Sequence, residues 1–194
     1  MLDFKNGKVN WVSKVRHILF SFGFGFIWEQ QHISNLNTFI SEFCFRLKAS
    51  YEQNWHAAIS LSPKSNLYSS FKINFGIESY LNVIFISKYR AALAQLRCCS
   101  HQLRIETGRY KKELRQHRVC NICNQHYVED EYHFILVCKV YSHLREKYIA
   151  CKYHLYPTPE KFNLLLSSTD VNTIQNLSMF LYNAMRLRSH HLKT

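Results

Sequence analysis

The chain has 194 residues, of which 47% are hydrophobic and 15% aromatic, with only 5 Gly and 3 Pro, which excludes a disordered segment. Its 25 Lys and Arg against 13 Asp and Glu give a net charge of +12, which favours a polyanionic partner, nucleic acid before an anionic membrane surface. The apolar run at 18–28 contains two glycines and is shorter than the about 20 residues that span a bilayer. We therefore expect neither a secretory signal nor a membrane partner.

Helical spacing of apolar residues is the main structural pattern in the chain. The segment 35–60 is the most regular, because apolar residues recur every three to four positions from Phe39 to Ile59, and we expect it to bury an aromatic-rich face. Thr158-Pro159-Glu160 marks another helix start, with a capping residue, a proline in the first turn and an acid at the positive dipole end. The further predicted helices cover 9–22, 65–75, 87–98, 139–150 and 170–187.

The predicted fold is therefore mainly α. We expect a helical N-terminal part, then a small CCHC zinc-knuckle unit, then C-terminal helices. The predicted domains are a helical region at 1–84 and a basic zinc-binding region at 85–194, with the weakest joint near 76–86. The basic tail at 186–194 is expected to fray.

Three of the seven cysteines and one histidine form the pattern Cys-x2-Cys-x9-His-x4-Cys. Zinc prefers four tetrahedral ligands from thiolate and imidazole, and structural sites take all four from the protein. Cys120-Asn121-Ile122-Cys123 suits a tight turn in which both sulfurs face one point, and Asn124 tolerates the left-handed conformation that such turns need. The sequence predicts a structural Zn²⁺ site with the ligands Cys120, Cys123, His133 and Cys138.

The spacing of the last two ligands constrains the backbone between them. On a regular helix His133 and Cys138 would be separated by about 140°, so the helix must end or distort there. Acids at 129–131 precede this turn, and one of them is a candidate acceptor for the second ring N–H of His133. Three buried free cysteines beside an ordinary histidine are the alternative to a metal site. Alternative fourth ligands are His126, His143, Cys151 and His154.

A basic stretch from Lys88 to Arg118 precedes the cysteines, with nine Lys and Arg opposed only by Glu106 and Glu113. Lys and Arg neutralise phosphates, and an interleaved aromatic can stack on an exposed base. The alternative is an exposed helix or loop whose charges keep it soluble, and Arg104 beside Glu106 could be partly structural. The predicted nucleic-acid-binding residues are Arg104, Arg109, Tyr110, Lys111, Lys112, Arg115 and Arg118.

Four segments of the chain together resemble the C-terminal zinc-binding region of non-LTR (LINE-type) retrotransposon reverse transcriptases. They are HQLRIETGRY, RVCNIC, VEDEYHFILVC and YSHLREKY. The upstream segments QNWHAAISLSPKSNLYSSFK and KYRAALAQLR are similar to what precedes that region, and the likeness is most specific over 102–148. The resemblance implies a tail that helps to hold template RNA or target DNA beside a polymerase domain. The sequence has no Tyr-x-Asp-Asp motif and no carboxylate set for two-metal polymerisation.

The sequence therefore predicts a zinc- and nucleic-acid-binding protein with weak sequence preference, a fragment or a derivative of such a tail, and not an enzyme. We expect an intracellular location, nuclear or cytoplasmic, because the cysteines follow a metal pattern. A reverse transcriptase polymerase domain is a further candidate partner. The alternatives are a zinc-stabilised protein–protein interaction module and a non-functional transposon remnant.

Overall fold

The computed structural model describes residues 10–193, so residue 9 of the first predicted helix and residue 194 of the tail lie outside the described part. Contacts divide the chain into two compact units, Met1–Ala58 and Ile59–Thr194. The mainly α prediction is confirmed. None of the described helices is long and apolar enough to cross a membrane.

The first unit contains α1 (Trp11–Ser21), α2 (Gly25–Gln30) and most of α3 (Leu36–Leu61). Its centre is an aromatic cluster in which the Phe24 ring lies 5.3 Å from that of Phe39 and 5.7 Å from that of Phe43. The aromatic face predicted for α3 is only half-buried, since none of the residues of this helix is fully buried. Among residues 10–58 only Phe24 and Ile27 are fully buried.

The second unit is built from eight α-helices within the described residues. The intervening turns are 3₁₀ at Pro63–Ser65, Arg115–His117 and Lys139–Tyr141, and π at His133–Val137. The helices are α4 (Asn66–Phe71), α5 (Ser79–Val83), α6 (Ser87–Arg97), α7 (Arg104–Tyr110), α8 (Ser142–Tyr148), α9 (Cys151–His154), α10 (Pro159–Leu166) and α11 (Val171–His191).

The last helix, α11, is the centre of this unit and packs against α5, α6 and α8. Its apolar positions from Ile174 to Ala184 are buried, because they recur at the helical period. The helix starts where Asp170 accepts the Thr173 N–H at 2.8 Å. It continues to His191, so most of the basic tail that was expected to fray is helical.

The other predicted helix boundaries agree with the structure only in part. The start of α10 is as predicted, since the Thr158 hydroxyl accepts the Lys161 N–H at 3.3 Å. The helix α4 ends at Phe71, earlier than 75, and α7 was not predicted. Residues 59–84, assigned by the sequence to the first domain, lie in the second compact unit, where α4 contacts α10 and α5 contacts α11.

Candidate metal centre

The first two cysteines of the pattern lie on a short antiparallel hairpin. Val119 and Val128 form an isolated β-bridge, and the Cys120 N–H donates to the Tyr127 carbonyl at 2.8 Å. Asn124 has a φ of 54°, the left-handed conformation expected from the sequence. This turn reverses the chain within a few residues and brings Cys123 back beside Cys120.

The last two ligands of the pattern lie at the ends of a π-turn. The Cys138 N–H donates to the His133 carbonyl at 2.7 Å, a bond over five residues that widens the turn. The expectation that the helix is distorted between these residues is confirmed. The wide turn brings both side chains toward the hairpin, which a regular helix could not do.

The four predicted ligands converge. One ligand atom from each of Cys120, Cys123, His133 and Cys138 lies within 4.8 Å of all the others, so the group could hold a metal ion. The Cys123 Sγ and the His133 Nε2 are 3.5 Å apart, close to the edge of roughly 3.6 Å that follows from tetrahedral Zn–S and Zn–N bonds. All but Cys123, which is half-buried, are buried.

The alternative fourth ligands do not join this group. Among residues 10–193, the cluster that contains Cys120 includes none of His126, His143, Cys151 and His154. Cys151 is exposed, and burial lowers the pKa of His154. The geometry therefore favours the ligand set that was predicted from the spacing.

The Cys120 and Cys138 side chains shift each other's pKa in opposite directions. A hydrogen bond from the Cys138 thiol holds the pKa of Cys120 well below its usual range. The same bond, followed by burial, raises the pKa of Cys138. A metal cation would replace these shared protons, since only the thiolate is a good ligand.

The three acids that precede the π-turn each bond to a different basic residue, two to arginines and one to a histidine. The Glu129 carboxylate accepts hydrogen bonds from Nε and Nη2 of Arg188, at 2.8 and 2.7 Å. The Asp130 carboxylate accepts a hydrogen bond from Nη2 of Arg115 at 3.0 Å. The third acid bonds to a buried histidine, in the pair Glu131–His101. The acids thus attach separate parts of the second unit to the metal centre.

No acid accepts the second ring N–H of His133, contrary to the expectation. Its Nδ1 is buried and has no hydrogen-bond partner within the described part of the chain. The nearest candidate, Asp130, instead accepts the backbone N–H of His133 at 2.9 Å. That bond caps the turn, and it leaves the ring oriented by packing beside Tyr127, whose ring centroid is 5.8 Å away.

Arg145 supports the backbone of the π-turn, and no motif in the sequence pointed to it. Its Nε donates to the Ile135 carbonyl and its Nη2 to the Cys138 carbonyl, both at 2.7 Å. The side chain is buried, and burial lowers its pKa while the neighbouring Cys138 opposes that shift. Within residues 10–193 it forms no ion pair with a carboxylate. A buried, unpaired cation is placed to balance negative charge on the thiolates.

A second buried group of potential ligands, Cys99, His101 and Glu131, adjoins this centre. The His101 Nε2 lies 2.9 Å from a Glu131 oxygen, and its Nδ1 accepts the Leu103 N–H at 3.4 Å. Because both ring nitrogens have protein partners, we interpret this group as structural. Burial raises the pKa of the Cys99 thiol to about 12.

The arginines predicted to bind nucleic acid are mostly engaged within the protein. Arg104 pairs with Glu113 at 2.8 Å, Arg109 with Glu106, and Arg115 with Asp130. The Arg118 guanidinium donates to backbone carbonyls, at 2.7 to 3.0 Å. Gly108 permits this packing, because a Cβ there would lie 2.7 Å from the Arg118 side chain.

The remaining members of the predicted set are exposed. Tyr110 is 68% exposed, with Arg109 and Lys64 over its ring at 5.3 and 5.7 Å. Lys111 and Lys112 are exposed and form no ion pair with any residue of the described part. The basic stretch therefore offers fewer available cations than its composition indicates.

Comparisons with known proteins found no relative of this chain. Neither a family model, nor a curated protein, nor a solved structure matches this chain. What the chain does must be inferred from its residues and their geometry.

Proposed function

We propose that this chain is a zinc- and nucleic-acid-binding protein in which a structural Zn²⁺ is held by Cys120, Cys123, His133 and Cys138. The observation that carries the proposal is the convergence of these four ligand atoms within 4.8 Å of one another, across a hairpin and a π-turn.

The donor set supports zinc as the metal. Three thiolates and one imidazole in a tetrahedral arrangement favour zinc over the hard cations, which prefer oxygen ligands. All four positions are filled by protein, so no site is left for a reactive water. The zinc would hold the hairpin and the π-turn together rather than catalyse a reaction. In keeping with the missing polymerase motifs, we propose no enzymatic activity for this chain.

Charge supports nucleic acid as the partner. The chain has a formal net charge of +12. Several of its arginines form ion pairs within the protein, so the lysines in particular are available to bind phosphate groups. Tyr110, Lys111 and Lys112 are exposed at the end of α7, near the metal centre in sequence. Such contacts carry little base information, so weak sequence preference is expected.

The resemblance to the tail of LINE-type reverse transcriptases supports the same function. It makes a polymerase domain of that class a candidate partner. The metal pattern of the cysteines supports an intracellular location, in the nucleus or the cytoplasm. The chain would be a fragment or a derivative of such a tail. A transposon remnant without a function is the alternative, and it predicts that nucleic-acid binding is absent or unrelated to zinc.

Binding of a labelled single-stranded RNA and of the matching DNA to the zinc-loaded protein tests this function. We expect log K to fall linearly with log salt, with a slope of about −0.7 per phosphate contact on a single strand. Zinc removal should weaken binding, because the segment 115–150, which carries Arg115 and Arg118 and closely follows Lys111 and Lys112, would lose its order. Salt-independent association, or no association at low salt, would contradict the proposal.

An exposed apolar surface supports a second candidate, a protein–protein interaction module. Trp11 and Phe45 in the first unit are each 75% exposed, and Tyr51 is 62% exposed. Large apolar side chains mark an interaction surface when they form a contiguous exposed patch, and these three are candidates for such a patch. This candidate predicts a protein partner whose binding changes little with salt and is lost in Trp11→Ser or Phe45→Ser.

A further inference from the structure

A groove of about 580 Å³ runs between α6 and α11, on residues that the sequence did not single out together. Its small side chains, Ala91 and Ala92 of α6, leave room for a ligand beside α11. Tyr182 and Met185 of α11 supply the apolar part of the lining. Its volume is in the range typical of ligand sites.

The rim of the groove is cationic. Lys88, Arg186 and Lys193 line it, and no carboxylate is among its lining residues. None of these three cations forms an ion pair with another residue of the described range 10–193. Within that range their charges are unpaired, in contrast to those of Arg104, Arg109 and Arg115.

The aromatic ring in the groove holds two of these cations in place. The Lys88 ammonium lies 5.0 Å from the centroid of the Tyr182 ring, and the Arg186 guanidinium lies 5.7 Å from it. Tyr182 is itself fixed by an edge contact with Tyr89, at 5.3 Å between centroids. Cations held over a fixed ring lose less conformational freedom on binding an anion than free side chains do.

We propose that this groove binds single-stranded nucleic acid, with phosphates on the rim cations and a base against the apolar lining. Gln95 and Ser189 add an amide and a hydroxyl that suit the polar edge of a base. The inference rests on the proposed nucleic-acid binding, and it moves the main contact from residues 104–118 to the groove between α6 and α11.

The combination of features selects this ligand over other polyanions. An acidic peptide would satisfy the cations, but it presents a flat group only where its sequence has an aromatic residue, whereas every nucleotide carries a base beside its phosphate. A duplex keeps its bases stacked inside, so a concave groove of this size reaches only its phosphates. A single strand presents phosphate and an unstacked base together.

The test compares two variants of the full chain that lose the same charge. Lys88→Gln, Arg186→Gln and Lys193→Gln are combined in the groove variant, since all three residues are exposed. The matched control combines Lys139→Gln, Lys147→Gln and Lys152→Gln, which are exposed and do not line the groove. Fluorescence anisotropy with a labelled single-stranded RNA reports affinity at several salt concentrations.

We expect the groove variant to bind at least about tenfold more weakly at ~0.15 M salt and to lose up to about 2 units of slope, while the control changes less than about threefold. Ala91→Leu, which fills the groove without changing charge, should also weaken binding of the single strand. Zinc content and circular dichroism should match the parent in each variant.

Other outcomes separate the two proposals. If the parent binds RNA and the groove variant binds as tightly as the control, the groove inference is overturned while the proposed function stands. If the parent binds no nucleic acid, both fall. A duplex that binds as tightly as the single strand, or polyglutamate that competes as well as RNA, would show a surface that selects charge alone and would also overturn the inference.

Discussion

Glu129 and Arg188 form a buried bidentate ion pair, with the two Arg188 nitrogens 2.8 and 2.7 Å from the two carboxylate oxygens. The same carboxylate accepts the Arg104 backbone N–H at 2.8 Å. Although burial opposes the charge, Glu129 raises the pKa of Arg188. Glu129 ends the hairpin of the metal centre, so the pair connects that hairpin to α11 and to the start of α7.

Glu129→Gln should therefore destabilise the protein strongly. The variant leaves the Arg188 guanidinium buried without a counter-charge, which typically costs about 3–5 kcal/mol. Chemical denaturation of the zinc-loaded protein measures the free energy of unfolding. The control Glu113→Gln breaks the more exposed pair with Arg104 and should cost less than about 1 kcal/mol. Equal losses in the two variants would contradict a special role for the buried pair.

Arg145→Met should weaken zinc binding without removing a ligand. The guanidinium holds the carbonyls of Ile135 and Cys138 and lies beside a centre whose thiolates carry negative charge. Loss of such a supporting group typically lowers metal affinity by about 10- to 100-fold. Competition with a chromophoric chelator measures this. Lys147→Met, a change of an exposed cation on the same helix, is the control, and the idea fails if both variants keep the affinity of the parent.

Removal of zinc should affect the two units differently. The hairpin at 119–128 has one β-bridge and few buried side chains of its own, so we expect the metal to supply most of its stability. Hydrogen exchange with a chelator should show loss of protection near 115–150. The aromatic cluster of Phe24, Phe39 and Phe43 contains no ligand, so amides in α1–α3 should keep their protection. Uniform loss along the chain would instead indicate one cooperative unit.

The sequence predicted those features that depend on spacing. Cys-x2-Cys and the later His and Cys are close in the chain, and their ligand chemistry is so restrictive that the group could be assembled without knowledge of the fold. The distortion between His133 and Cys138 followed from the helical period, and the start of α10 followed from local capping chemistry at Thr158.

Features that depend on distant contacts could not be predicted. Arg104 is held by its ion pair with Glu113. Arg118 is held by a hydrogen bond to the backbone carbonyl of Glu113 and by its close approach to Gly108. A count of charges in the sequence reveals none of these contacts. The groove between α6 and α11 joins Lys88 to Arg186, which are far apart in the chain. Arg145 has no motif, since its partners are backbone carbonyls.

The most direct test of the account is the zinc content of the purified protein and of Cys123→Ser. We predict about one zinc per chain in the parent and none in the variant, because a serine hydroxyl cannot replace a thiolate in this site. Cys151→Ser and His154→Ala should keep the full content, since neither residue belongs to the cluster. Full zinc in Cys123→Ser, or loss of zinc in Cys151→Ser or His154→Ala, would contradict the assignment.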